Sequence, residues 1–556
     1  MKRSTLLVVI FLRCAAVSPP PGGPEDKTPP SLIDVSPPSG TTGTEGGLIL
    51  TLTFSERLHE QTDVRSIRLS PPTDEDLQVD LNKDILTVTL PKALRQEQTY
   101  ILTITRDIMD ERKNRLDKTY QLAFTTGNKI ANGRISGTVY ELGETSALVY
   151  LFRQSEVADD TLLLRTPDYY TETDDSGRYT FDFLDPGKFS VMAHRGGAAP
   201  APLTPSRSPY GLYWENSVTI DSENDVVDNN INIRLGKEVP PFRVLSTVME
   251  DAKLGTVTLV NSFKLSESPG AVIEFSDPES VALIKANHIF QYPNESSQLH
   301  FIVDGLATGQ VYSLSVSGLT DSVGQMLEAI DRQITIPEKD SIPPAIHSPL
   351  PNKPVALVPG NEPLTFQFTR LVTVSDTDSV ITLTDSEETP IAISLSQPDP
   401  MRLEVVPETG WPESEIFDLK LYGSEILSED KVVMVDSLFN YSLSVGRKRG
   451  RGGLSGSVTG PYVEKTTVTA RSVEKDPISV TVSVNSEGDF QMEEIPAGMW
   501  LLSAFQDKDG NGRYTFGKAL PMVPAEPFTV LSDTIEVRAN WDVEGIIITY
   551  PGKQKP

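Results

Sequence analysis

A single cysteine occurs in 556 residues, and it is Cys14. The chain beyond it has no thiol for a disulfide, a nucleophile or a soft-metal site. Histidine is nearly as scarce: His59, His194, His288, His300 and His347 lie far apart, with no pair at metal-ligand spacing and no H-E-x-x-H. Each reads as a surface or structural residue. Also missing are a glycine-rich phosphate loop in strand–helix context, a G-x-S-x-G elbow and a long amphipathic helical period. Basic charge is in deficit, 49 Lys and Arg against 77 Asp and Glu, a net charge of −28. Such a surface repels phosphate backbones, which argues against nucleic acid as a partner, and it attracts divalent cations. Acidic neighbours such as Asp174-Asp175, Glu387-Glu388 and Glu493-Glu494 face opposite ways on a strand, so they read as solvated turns or strand edges, not as converging catalytic pairs. No constellation amounts to a catalytic site, and the chain reads as a non-enzyme.

What is present begins with a leader. Lys2 and Arg3 precede a short apolar run from Leu6 to Leu12, too short to span a membrane as a helix, and Cys14 follows. A Pro/Gly tract comes next, through Pro19-Pro20-Pro21-Gly22-Gly23-Pro24 to Pro29-Pro30. This resembles a bacterial lipoprotein signal. The resemblance implies a signal peptide over 1–14, acylation of Cys14 and an extended tether over 15–28. Arg13 departs from the small residue such signals carry before the cysteine. An ordinary secretory signal cut further on, or a misassigned start, is the alternative.

The length favours several domains over one core, and 38 Gly and 43 Pro are dispersed as turn punctuation. Leu50, Leu52 and Phe54 alternate with Thr51, Thr53 and Ser55; Leu86 and Val88 with Thr87 and Thr89; Tyr100, Leu102 and Ile104 with Ile101, Thr103 and Thr105. Period-two patterning means strands with one buried face. Thr53-Phe54-Ser55-Glu56, Asp107-Ile108-Met109-Asp110 and Phe124-Thr125-Thr126-Gly127 then sharpen the picture. This stretch, 29–127, resembles the bacterial Ig-like domain named after the surface-layer protein SbsA. The resemblance implies a sandwich fold and a surface location, with no enzymatic residues to carry over. Similar Ig-like modules are expected over 238–339 and 341–446. In the first of these the early strand lacks the Phe-x-Glu signature, and in the second Arg370 stands where Glu56 would be.

One unit is written twice. Ile135-Ser136-Gly137-Thr138-Val139 recurs as Leu454-Ser455-Gly456-Ser457-Val458. Gly177-Arg178-Tyr179-Thr180-Phe181 and Leu184-Asp185-Pro186-Gly187 recur as Gly488-Asp489-Phe490-Gln491-Met492 and Ile495-Pro496-Ala497-Gly498. Gly177 and Gly488 are expected to supply hairpin turns with positive φ. These units, 133–236 and 452–550, resemble the carboxypeptidase regulatory-like, transthyretin-like sandwich, a domain that is itself no peptidase. The fold expected is all-β: a tandem array of small immunoglobulin-like and transthyretin-like sandwiches.

Two candidate sites stand out. Asp507-Lys508-Asp509-Gly510-Asn511-Gly512 places oxygen donors on alternate residues before a glycine, the first half of an EF-hand-like calcium loop. Lys518 occupies the twelfth position, so the bidentate carboxylate is missing and a ligand from elsewhere is required. A plain turn with Asx caps is the other reading of Asp507, Asp509 and Asn511. Tyr210, Tyr213 and Trp214 follow a proline-rich loop and could stack on sugar rings, although burial over the sandwich is the favoured reading, as it is for Tyr169-Tyr170.

The sequence therefore points to a non-enzymatic cell-envelope lipoprotein, an adhesion or structural scaffold. Its expected partners are the outer membrane through its lipid, and a cell-surface protein or glycan. The alternative is a carbohydrate-binding accessory protein of a polysaccharide-uptake system, for which an exposed platform at Tyr210, Tyr213 and Trp214 is required.

Overall fold

A computed structural model of the chain describes residues 26–552 other than 61–65, 144, 156–160, 196–202, 206, 222–226, 229, 278–282, 293–294, 329, 339–341, 376–378, 430 and 448–449. Cys14, Arg13 and the start of the tether lie outside the described residues. Among the described residues no helix is long and apolar enough to cross a membrane.

The first module contains strands β1 (Leu32–Ser36), β2 (Ile49–Phe54), β3 (Ile67–Ser70), β4 (Gln78–Asn82), β5 (Ile85–Thr89), β6 (Thr99–Ile104) and β7 (Tyr120–Thr125). One sheet has the order β1-β2-β5-β4 and the other β3-β6-β7, the strand order of a seven-stranded Ig constant-type sandwich. Leu50, Leu52, Phe54, Leu86, Val88, Tyr100, Leu102 and Ile104 fill the space between them, as the alternation requires. Strand β6 is buried on both faces. The pattern carried a hint of this, since Ile101 sits among the outward positions. Gln121 on β7 explains the cover: its amide donates to Thr171 Oγ1 at 3.1 Å and to the Thr180 carbonyl at 3.0 Å, and its oxygen accepts from Asp182 N–H at 3.2 Å. The first two modules thus share a polar seam inside one compact unit.

The second module holds β8 (Gly133–Tyr140), β9 (Ala147–Arg153), β10 (Tyr169–Glu172), β11 (Arg178–Leu184), β12 (Gly187–Arg195), β13 (Tyr210–Leu212), β14 (Val218–Ile220), β15 (Val227–Asp228) and β16 (Ile233–Arg234). Strand β8 lies between antiparallel β11 and parallel β15 and β16. In the second copy of the repeat, Arg451–Thr459 likewise lies between antiparallel Asp489–Pro496 and parallel Asp542–Thr549. The registers correspond: Phe181 faces Ile135 and Tyr179 faces Gly137, while Met492 faces Leu454 and Phe490 faces Gly456. The repeated glycine has a steric cause. A methyl group on Gly137 would overlap the Ile231 carbonyl oxygen, and one on Gly456 would overlap that of Ile546.

Residues 238–339 form two four-stranded sheets, one with Leu254–Leu259 and Gln298–Ile302 at its centre, the other with Val272–Ser276 and Val311–Ser317. Residues 341–446 form another such pair, around Leu364–Phe368 and Arg402–Pro407 and around Ile416–Leu421 and Phe439–Val445. The molecule is an all-β tandem array of small sandwiches.

Every module uses the same hairpin turn. Asp110, Asp174, Asp321, Asp385, Ser428 and Asn485 each donate their N–H to the carbonyl four residues on and accept the N–H three residues on. The side-chain oxygen also accepts the N–H four residues on, at 2.7–3.1 Å. The fourth residue of each turn is left-handed: Lys113, Gly177, Gly324, Glu388, Lys431 and Gly488 have φ between 59° and 91°. This is a type I turn with a glycine-type bulge, locked by an Asx or Ser side chain. It explains Gly177 and Gly488 as expected, and it also shows lysine and glutamate doing the same job.

The chain divides into two compact units, one holding residues up to Lys237 together with Asp507–Pro527, the other Glu238–Gln506 with Phe528–Tyr550. The span 452–550, read from sequence as one module, thus contains a segment that packs within the first unit. Phe516, Ala519 and Met522 join a core of Leu148, Tyr150, Tyr170, Met192, Tyr210 and Leu212. Leu212 N–H donates to the Phe516 carbonyl at 2.9 Å, and the Arg234 guanidinium lies 5.0 Å from the centre of the Tyr514 ring.

Candidate functional site

The Asp507 loop opens the segment that joins the first unit. Glycines at 510 and 512 take φ of 75° and 73°, so the backbone curls around the first aspartate. Asp507 Oδ1 accepts from Gly510 N–H at 2.8 Å and Asn511 N–H at 3.1 Å, and its Oδ2 accepts from Gly512 N–H at 3.0 Å. Asp509 Oδ2 accepts from Asn511 Nδ2 at 2.9 Å and from the Thr515 hydroxyl at 2.8 Å. Asn511 Oδ1 accepts from Arg513 N–H at 2.7 Å.

The carboxylate absent from the twelfth position arrives from further along. Glu526 is buried and accepts from Lys508 N–H at 2.6 Å and Thr515 N–H at 2.9 Å, tying the far end of the segment to its beginning. One oxygen from each of Asp507, Asp509 and Glu526 lies within 4.8 Å of the others. Burial, with Asp509 adding to it, pushes the Glu526 carboxyl above its ordinary range, while the backbone donors pull it down. Hard oxygens converging around a tight bend fit the donor set of calcium, and each carboxylate retains lone pairs beyond those used by N–H donors. Asn511 stays close to the cluster through Asp509. Glu526 was not singled out from sequence, because nothing local marks a glutamate after Pro524-Ala525 as a partner of Asp507.

A second acidic cluster joins Asp26, Glu56 and Asp110. Asp110 is the buried opening residue of the first module's turn, its Oδ1 accepting from Arg112 and Asn114 N–H groups. Burial first, then Asp110 and Asp26, push the Glu56 carboxyl upward. Glu56 and Asp110 both stood in motifs that marked the Ig-like module, yet sequence gave no sign that they meet. In the next Ig-like module Asn261 takes the corresponding place and donates to Asp321 Oδ2 at 2.8 Å. In the one after it, Arg370 turns instead to Asp251, 3.6 Å away.

The aromatic residues are buried, as the favoured reading has it, and do not form the exposed platform that the carbohydrate-binding alternative required. Tyr210, Tyr213 and Trp214 are 0%, 5% and 5% exposed, and so offer no open ring face for a sugar. Tyr210 is edge-on to Phe516 with ring centres 5.2 Å apart, and its hydroxyl accepts from Ala519 N–H at 3.2 Å. Tyr213 and Trp214 pack on each other at 4.5 Å. Tyr169 and Tyr170 are buried too. The physical reason lies in Phe516 and Ala519, which cover the strand from more than three hundred residues away in sequence. Of the basic run Arg447-Lys448-Arg449-Gly450-Arg451, Lys448 and Arg449 lie outside the described residues, and Arg451 pairs with Glu494 at 3.5 Å.

The histidines are less scattered than their spacing suggested. Glu295 accepts from His300 Nε2 at 2.5 Å and meets His347 Nε2 at 3.2 Å, and the Tyr292 ring lies against both imidazoles.

Residues 26–126 match the family model for the bacterial Ig-like domain. No curated protein matches the chain. Among solved structures, the N-terminal part of the bacterial S-layer protein SbsC is similar at 14% identity, with a TM-score of 0.17 over 37% of this chain; the match spans 44% of that structure's length. The N-terminal four Ig domains of Dscam1 isoform 9.44 are similar at 8% identity and a TM-score of 0.21, covering 75% of this chain and 98% of that one. The native conformation of E. coli alpha-2-macroglobulin is similar at 11% identity and a TM-score of 0.14, covering 90% and 42%.

Proposed function

We propose that the chain is a non-enzymatic scaffold of a bacterial cell envelope, anchored to the outer membrane through acylated Cys14. The observation that carries this reading is that the described chain is built of sandwich modules, the first of them matching a bacterial Ig-like domain. The aromatic candidates and paired acids serve packing and turns: Tyr210 belongs to a core, Tyr213 and Trp214 are buried against each other, and the paired acids at 174 and 387 belong to locked hairpins. A scaffold needs stiff, soluble modules and a point of attachment. Locked turns supply the first, and the leader's lipoprotein resemblance supplies the second. The units at 133–236 and 452–550 are taken as carboxypeptidase regulatory-like sandwiches, on their shared register and the left-handed glycine, Gly177 or Gly488, at the fourth position of the hairpin turn. Metabolic labelling with a palmitate analogue tests the attachment: label on the wild type and none on Cys14→Ala is expected, and an unlabelled wild type overturns it.

Calcium at Asp507, Asp509 and Glu526, with Asn511 completing the loop, has a structural part in this reading. The ion would relieve repulsion among three close carboxylates and hold the two ends of the segment that covers Tyr210. Titration calorimetry is expected to show one calcium site, abolished by Asp507→Asn with Glu526→Gln. No heat above dilution would leave the loop a turn only.

A further inference from the structure

Between the first two modules of the first unit lies an open cleft of ≈ 740 Å³, walled by β3 and the turn after it on one side and by the approach to β10 on the other. Two donors in its wall lack an acceptor among the described residues. Arg68 Nε is buried without a hydrogen-bond partner, and so is the hydroxyl of Tyr170, a side chain 3% exposed. Burial keeps the Tyr170 phenol protonated far above neutral pH, so it stands as a donor. Arg68 forms no ion pair among the described residues, although it sits in a protein of net charge −28. Unmet donors in a wall of this kind are costly unless a ligand answers them.

We propose that this cleft binds an acidic saccharide, a hydroxyl-rich ring carrying one carboxylate, with Arg68 receiving the carboxylate. The rest of the lining selects that class. Ser70, Thr73 and Thr166 offer hydroxyls, and Pro72 and Leu77 offer apolar surface for the C–H face of a ring. Glu75 and Asp76 also line it; they accept hydrogen bonds from sugar hydroxyls, and their charge opposes a phosphate dianion about twice as strongly as a single carboxylate. Glu75 is held in place by Lys92 N–H, which donates to its Oε2 at 3.0 Å. A single guanidinium matches a single carboxylate, in the planar geometry for which arginine is suited. The proposal stands apart from the scaffold reading, since a secreted or an anchored chain would bind alike. It also moves sugar recognition away from Tyr210, Tyr213 and Trp214.

The test is calorimetric titration of the purified chain with a galactose oligomer ending in one galacturonate, a neutral galactose oligomer of the same length and inorganic phosphate. Saturable binding of the uronate is expected, with the neutral oligomer at least tenfold weaker and phosphate unable to compete. Arg68→Met is expected to weaken uronate binding at least tenfold at an unchanged melting temperature, and Arg68→Lys to weaken it less. Should Arg68→Met fail to fold, Tyr170→Phe, which removes one hydroxyl, is expected to weaken binding severalfold. Absence of saturable binding, displacement by phosphate, or a folded Arg68→Met that binds as the wild type does would overturn the proposal.

Discussion

At the scale of the residue, the sharpest constraint is a glycine in the middle of a strand. Gly137 and Gly456 lie where a neighbouring backbone carbonyl, of Ile231 and Ile546 respectively, leaves no room for a methyl group. Alanine at either position is expected to cost about 1–3 kcal/mol or more, the range for overpacking a tight site. Gly270→Ala, whose added methyl would meet only the Gly318 carbonyl oxygen at 4.0 Å, an ordinary contact, is expected to be near neutral in the same denaturant titration. Both glycines could be read from sequence as repeated letters; the carbonyl that fixes them could not. His300 gives a pH prediction. Burial holds its imidazole below the ordinary 6.5, His347 adds to the depression, and Glu295 and Glu250 oppose it. The unfolded chain therefore takes up this proton first. The contribution is present in full above about pH 6.5 and is lost as pH falls through the lower folded value. Melting of the full chain should show a transition that drops from pH 7.5 to pH 5, and His300→Gln should flatten that drop. Equal pH dependence in the two proteins would remove His300 from the account. The aromatic residues mark where local reading stops: burial of Tyr210 was the favoured reading, but nothing local named Phe516 as its cover.

At the scale of the element, the alternation of oily and polar side chains sufficed for the strands. Leu50, Leu52 and Phe54 point inward as their spacing requires, and so do Phe417, Leu419 and Leu421. The turns were legible only where glycine marks them. Gly177 and Gly488 announce a left-handed position, whereas Lys113, Glu388 and Lys431 adopt the same φ with a Cβ and carry no such sign. The Asx or Ser side chain three residues earlier is the true signature, because it fixes the turn by binding two backbone donors in most copies. Two opposite effects follow. Lys113→Gly and Glu388→Gly relieve left-handed strain and should each stabilise by about 0.5–1 kcal/mol. Asp385→Ala removes two hydrogen bonds and should destabilise by about 1–2 kcal/mol, read from the shift in denaturation midpoint. Stabilisation by the alanine variant would contradict a role for the side chain in the turn.

At the scale of the whole molecule, sequence conveyed the repeated units but not how they share residues. The seam at Gln121 and the segment 507–527 within the first unit both depend on contacts far apart in the chain. Calcium links this scale to the residues. If it closes the segment at Asp507 and Glu526, chelation should loosen the cover over Tyr210 and shift the emission of nearby Trp214 to the red. Restored calcium should reverse the shift, and Glu526→Gln should abolish the response. An emission spectrum indifferent to calcium would separate the loop from the aromatic core.

The central claim is that the chain works by being held in place, not by turning over a substrate. It is tested most directly in a strain that lacks the chain and shows an adhesion or envelope defect, complemented by the wild type or by Cys14→Ala. The account predicts that the Cys14→Ala protein, exported and folded, leaves the defect uncorrected while the wild type repairs it. Full repair by the released, unanchored protein would contradict it.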